Sequence, residues 1–270
     1  MNNLSISPSK LEIQLKPGTN YVQSYIIKNI GDQQLTLNSS IDSWIPQGSD
    51  GNVTYLNTNP NISLSLSNTD LKLGQNFVLG PNQTKQLVLK IQATTLGDHY
   101  FTLFINQDTS AIASSNSTQL IRLGSHLLIS VSDTDQPPSK LVVNNFKVNN
   151  PFIDSFFFPT TFSGQIINQS NYFDKVNKSI VITKNGQEVT KLTIFPDNVL
   201  ANHSRNLRCL DNNLPVNCQL SKPVLPGFYQ ATIDKQTVSF VVLPYSLLIF
   251  SAIIFIIIKA IIDNYKHPKL

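Results

Sequence analysis

Apolar and polar residues alternate in short runs along most of this 270-residue chain. Leu11, Ile13 and Leu15 fall on one side of a run that stops at Lys16-Pro17-Gly18, and Leu87, Leu89 and Ile91 do the same within Lys85–Ala93. A period of two marks a half-buried strand, because successive side chains leave opposite faces of the pleat. Runs rich in β-branched and aromatic residues predict further strands over Tyr21–Asn29, Gln34–Ser43, His99–Asn106 and Leu120–Val131. Gly31-Asp32 and Gly97-Asp98 supply turns between them. About seven short strands at this spacing describe a β-sandwich over residues 1–133.

The polar, proline-bearing stretch DTDQPPS breaks the pattern and predicts a linker at 134–140. A second strand series follows at Leu141–Lys147, Phe156–Ile167, Ser179–Lys184, Val189–Phe195, Gly227–Ile233 and Thr237–Leu243. Within it, Asn185-Gly186 is the strongest short-range hairpin signal. Residues 141–243 therefore form a second sandwich. The expected fold class is all-β: two tandem immunoglobulin-like β-sandwich domains followed by one C-terminal transmembrane helix.

That helix is read from 244–262, PYSLLIFSAIIFIIIKAII, where the first charge is Lys259. Nineteen residues at 1.5 Å each span about 28 Å, close to the hydrocarbon thickness of a bilayer. Tyr245 and Tyr265 stand at its ends as interfacial aromatics do, and Lys259 is placed to snorkel. The short basic tail, 263–270, predicts a cytoplasmic C-terminus and an extracellular N-terminal region. MNNLSISPSK has neither the charged nor the apolar part of a signal peptide, so a trimmed or mis-assigned start and a tail-anchored cytosolic protein remain as alternatives. Cys209 and Cys218, the only cysteines, stand nine positions apart in RCLDNNLPVNC. This suits a small disulfide-closed loop and an oxidising compartment; two free thiols are the other reading.

Composition narrows the function more by exclusion. Charged residues make up 13% of the chain against 41% hydrophobic, well below the roughly 25% charged of ordinary domains. The net charge of +4 is shared between the C-terminal tail and a nearly neutral remainder with only three arginines, so the basic stripe of a nucleic-acid binder is missing. Two Glu, four scattered His and no phosphate-loop, zinc-protease or nucleophile-elbow motif leave no catalytic constellation to name. No enzyme activity and no cofactor are expected. Asp133, Asp135 and Asp154 form the best metal set, for calcium, but are too few for a recognised loop. Trp44, at the end of a strand, is expected to fill a core. Phe152, Phe156, Phe157 and Phe158, between Pro151 and Pro159, exceed what one strand face can bury, because Phe157 must point away from its neighbours. They predict a hydrophobic partner-binding patch.

Two long stretches carry a resemblance. SPSKLEIQLKPGTNYVQSYIIKNIGDQQLTLNSSIDSW with FVLGPNQTKQLVLKIQATTLGDHYFTLFI resembles the N-terminal immunoglobulin-like domain of WxL-interacting surface proteins and, more distantly, the first domain of pilus chaperones. GQIINQSNY, ITKNGQEVTKLTI, VLANHSRNL, GFYQATI and VSFVVLP resemble in order the second domain of the WxL-interacting proteins, which also end in one membrane helix and a basic tail. The first resemblance implies a bacterial, membrane-anchored, non-enzymatic cell-surface protein that binds or scaffolds a partner surface protein or peptidoglycan. The second implies an alternative, an envelope assembly chaperone or secretion accessory gripping a subunit's carboxylate. Lys10 and Arg122 fall where the chaperones keep that basic pair, with Arg and Lys in exchanged positions, which puts the clamp in doubt.

Overall fold

The computed structural model describes residues 4–56, 62–108, 121–154, 159–220 and 225–266, with side chains to 262. The chain divides into two compact units, each with its own core. Unit one comprises residues 1–140 together with two later stretches, Gln169–Phe173 and Leu200–His203.

Unit one opens with β1 (Leu4–Ser7), β2 (Lys10–Leu15), β3 (Asn20–Asn29), β4 (Leu35–Gln47) and β5 (Asn52–Leu56). It continues with β6 (Ser63–Leu66), β7 (Phe77–Leu79), β8 (Thr84–Gln92), β9 (Gly97–Gln107) and β10 (Arg122–Val131). Sheet A runs β1-β3-β8-β6 and sheet B runs β2-β10-β9-β4-β5, with β7 also paired to β4. The alternation read from the sequence becomes the core between them. Tyr25 and Ile27 of β3 and Leu87, Leu89 and Ile91 of β8 meet Leu103 and Ile105 of β9 and Leu127 and Ile129 of β10, all fully buried. Burying each such aliphatic side chain stabilises by about 1.5–3 kcal/mol. Asn29 is buried among them without loss, because its amide donates to the carbonyls of Gln33, Leu79 and Gly80 at 2.7–3.0 Å and its Oδ1 accepts from Gly31 N.

Unit two contains β11 (Leu141–Val148), β12 (Phe152–Asp154), β13 (Thr160–Asn168), β14 (Asp174–Lys175), β15 (Ser179–Lys184) and β16 (Gln187–Thr193). Then come β17 (Asn198–Val199), β18 (Ser204–Asn206), β19 (Cys209–Asp211), β20 (Leu214–Val216), β21 (Cys218–Leu220), β22 (Gly227–Ile233) and β23 (Gln236–Leu243). Sheet C is β11-β13-β18 with β21 also on β13, and sheet D is β12-β23-β22-β15-β16. The predicted hairpin joins β15 to β16, with Asn185 and Gly186 at φ 51° and 78°, the left-handed pair a two-residue turn requires. The strand expected from Phe156 begins, among the described residues, at Thr160. Cys209 and Cys218 are joined by a disulfide that ties the β19–β20 hairpin to β21 inside the core.

The last element is α1 (Tyr245–Lys266), one turn longer than the segment read from the sequence. Over Tyr245–Ile262 its mean hydropathy is 2.6 and none of it is buried in the protein. Its length and composition are those of a membrane span. Leu248 N donates to Pro244 O, which places Pro244 at the helix start. There Asp154, only 2% exposed, accepts from Ser246 N at 2.6 Å and from Ser246 Oγ at 2.9 Å. A carboxylate suits the positive end of the helix dipole, and it clamps the helix to strand β12.

Candidate partner-binding edge

Sheet B has an incomplete row beside β10. Strand β2 runs parallel to β10 and covers it only from His126, which lies opposite Lys10. Upstream, Arg122–Ser125 pairs with β9 on one side and, among the described residues, with no strand on the other. His126 N donates to Ser9 O at 3.2 Å, towards β2. Backbone direction alternates along a strand, so the N–H and C=O groups of Arg122 and Gly124 face the same open side. At the alternate positions Ile121 and Leu123 are partly buried and pack on the core, as does Ile6 of β1, a strand that lies against β10 without pairing to it.

The outer face beside this edge is closely tied. The Arg122 guanidinium lies 3.6 Å from the centre of the Phe104 ring and donates to Asp42 at 2.5 Å. Tyr55 meets the same ring edge-on at 5.2 Å. Gly124 makes this possible: a Cβ there would sit 2.7 Å from Thr102 Cγ2 and 3.0 Å from Phe104. Lys10 pairs with Glu12. Lys10 and Arg122 thus lie on one face of sheet B, roughly 13 Å apart along the strands, each with a carboxylate of its own.

Farther along the same face, Trp44 corrects an expectation. It is 5% exposed, yet it does not enter the core between the sheets; it packs on the outer side with Leu128 and Leu200. Tyr100 stacks on it at 4.9 Å and His126 meets it edge-on at 5.6 Å. His126 is bonded to Thr102 at 2.9 Å, and burial, with the Lys10 charge, holds its pKa below the ordinary value. Next to them Asp98 accepts from Ser130 Oγ and Tyr100 OH, both at 2.6 Å, and from Phe173 N at 2.5 Å. Burial raises its pKa despite these bonds. Burial, reinforced by the Asp98 charge, raises that of Tyr100, which accepts from Ala201 N at 3.1 Å. Burial also pushes Tyr25 up to about 12. Sequence reasoning missed this polar hub; its only trace was Asp98 and Tyr100 two apart, on one face of a strand.

The other candidate residues fall elsewhere. Phe152 is 71% exposed on β12, whereas Phe156, Phe157 and Phe158 lie outside the described residues. Of the calcium set, Asp135 pairs with Lys16 at 2.8 Å and Asp154 is bound to Ser246. Among the described residues no three His, Cys, Asp or Glu gather into a metal site.

No protein-family model matches the sequence, and no curated protein does. The likeness to WxL-interacting proteins therefore rests on the quoted residues alone. Solved structures similar in fold include the class 5 fimbriae chaperone CfaA (11% identity, 90% of this chain and 100% of that one, TM-score 0.47). The CsuC–CsuE chaperone–tip subunit pre-assembly complex of Acinetobacter baumannii is similar at 10% identity, 88% and 97% coverage and TM-score 0.40. A PapD-like domain of human CEP192 covers 50% of this chain and 88% of its own length at 10% identity and TM-score 0.35. At such identities and scores these likenesses concern strand layout and carry no argument about activity.

Proposed function

We propose that this chain is a membrane-anchored, non-catalytic envelope protein that holds an extended segment of another envelope protein along the open edge of β10. Its role is that of an assembly chaperone or secretion accessory, built from immunoglobulin-like sandwiches. The observation that carries the reading is the row beside Arg122–Gly124, where two N–H and two C=O groups have no strand partner among the described residues, while Ser125 Oγ already donates to Pro8 O at 2.8 Å. An incoming strand continues the line of β2, takes its affinity from main-chain hydrogen bonds and sends alternate side chains towards Ile6, Ile121 and Leu123. The reading needs no carboxylate clamp at Lys10 and Arg122, both already ion-paired. The disulfide favours an oxidising compartment for residues before α1, and the apolar helix favours an anchor with the basic tail in the cytoplasm.

The test is a photo-crosslinking amino acid placed in living cells at Arg122, beside the edge, and at Val22, which is 55% exposed on sheet A. A discrete adduct with one envelope protein at Arg122 and none at Val22 supports the reading. Adducts at Val22 with none at Arg122 overturn it.

A further inference from the structure

The outer face of sheet D changes character along its strands. One cross-strand row is Thr232 and Thr237, whose hydroxyls hydrogen-bond at 3.0 Å. The next is Thr183, Gln230 and Ser239, with Glu188 beside Thr183. Two residues further along β23 the row becomes Phe228, Val241 and Phe152, in register across β22, β23 and β12. Phe228 is 76% and Phe152 71% exposed, flanked by Leu225 at 75% and Leu243 at 46%. Between Phe152, Phe228 and the Asn185-Gly186 turn runs a shallow groove of about 550 Å³.

The position of this row is fixed by the chain itself. β23 ends at Leu243 and α1 starts at Tyr245, so the aromatic row lies about 7 Å of strand, one side-chain repeat, before the strand gives way to the helix. The headgroup zone is roughly 5–8 Å deep on each side of the hydrocarbon. Asp154, the next-but-one residue after Phe152, clamps the helix start through Ser246, so the row and the helix are held by one short strand. At the same end Lys184 donates to Pro226 O at 2.8 Å, which puts a cation beside the row. Exposed Phe and Leu beside a lysine are the composition of protein surfaces that bury themselves at a membrane interface.

We infer that this end of unit two is a lipid-binding seat: Phe152 and Phe228 enter the headgroup–acyl boundary, and the Asp154 clamp holds the unit at a set angle to its own span. The inference rests on the membrane-span reading of α1. It is tested on the full chain in phosphatidylcholine vesicles whose acyl chains are brominated near the headgroup end. Phe152→Trp, Phe228→Trp and, within the helix, Phe250→Trp are compared with the parent, whose single Trp44 is buried. The expected result is that Phe152→Trp and Phe228→Trp each lose roughly half of the fluorescence they add, as rings about 5–10 Å into the boundary do, while Trp44 is unaffected. Quenching of Phe250→Trp with none at the two seat positions overturns the seat and leaves the span standing. No quenching at any position removes the span, and the seat with it. A spectral shift at Phe228→Trp that grows with protein-to-lipid ratio, without quenching, overturns the lipid seat in favour of a second copy.

Discussion

Sheet B and sheet D both carry aromatic residues on the side away from their cores, and the two sheets treat them differently. On sheet B, Trp44 stacks on Tyr100 and meets His126 edge-on, Phe104 lies under Arg122, and Trp44 and Phe104 are 5% and 7% exposed. On sheet D, Phe152 and Phe228 have no such cover among the described residues. Alternation along a strand therefore tells which residues leave the core, and it is silent on whether they meet protein, lipid or water. The largest test of the difference is a pair of truncations. Trp44→Ala should cost about 3–5 kcal/mol, the range for emptying a buried aromatic site, while Phe152→Ala and Phe228→Ala should stay within about 0.5 kcal/mol. Chemical unfolding of the full chain in detergent reads both. Equal losses at Trp44 and Phe228 would end the contrast and make the sheet D row ordinary packing.

The covalent staple separates the units next. Unit two contains the Cys209–Cys218 disulfide and unit one contains no cysteine. Closing a loop of this length contributes about 2.5 kcal/mol by restricting the unfolded chain. Replacing both cysteines by Ala should lower the unfolding transition of unit two by that order and leave that of unit one in place. A shared drop in both transitions would show that the two cores melt as one.

Much of this layout was legible. β15 and β22 coincide with the predicted runs, β2, β3 and β23 differ by one residue at one end and β8 by one residue at each end, because Leu, Ile and Val at every second position leave one register that buries them. The Asn185-Gly186 turn was legible because few other pairs tolerate two left-handed residues. Trp44 was misplaced because burial was equated with the space between the sheets; the cover over it comes from Leu200, far off in sequence. The open edge at Arg122–Ser125 was not legible either. It depends on where β2 starts along β10, a parallel pairing between segments over a hundred residues apart, and nothing local encodes that register. Asp154 looked like a calcium ligand, and only the start of α1 revealed its partner.

A smaller effect tests the hairpin at the end of sheet D. Gly186 sits at φ 78° with open space where a Cβ would go, so Gly186→Ala meets backbone strain and no clash. It should cost about 1 kcal/mol. A larger loss, read by the same unfolding experiment, would mean that the turn is packed against something further.

The smallest effect is a slope, and it probes why the sheet B face is closed. Asp98 is bonded to Ser130, Tyr100 and Phe173 N, with His99 nearby, yet burial keeps its folded pKa above the ordinary value of 3.8. As pH rises past that value the unfolded chain releases this proton first, so the folded state holds the extra proton and stability falls with pH. The loss is complete above the raised folded pKa. Asp98→Asn has no proton to release. Its stability should be lower at acid pH, because an amide NH2 replaces one of the two acceptor oxygens, either the one Ser130 donates to or the one Tyr100 and Phe173 N share, but the gap to the parent should narrow as pH rises from 3.8 and then hold constant. The other carboxylates cancel in that difference. Parallel curves across the window would mean that the three hydrogen bonds just offset burial. A gap that widens with pH would mean that they favour the ionised form outright, and the closed face would then owe its stability to a buried charge instead of surviving in spite of one.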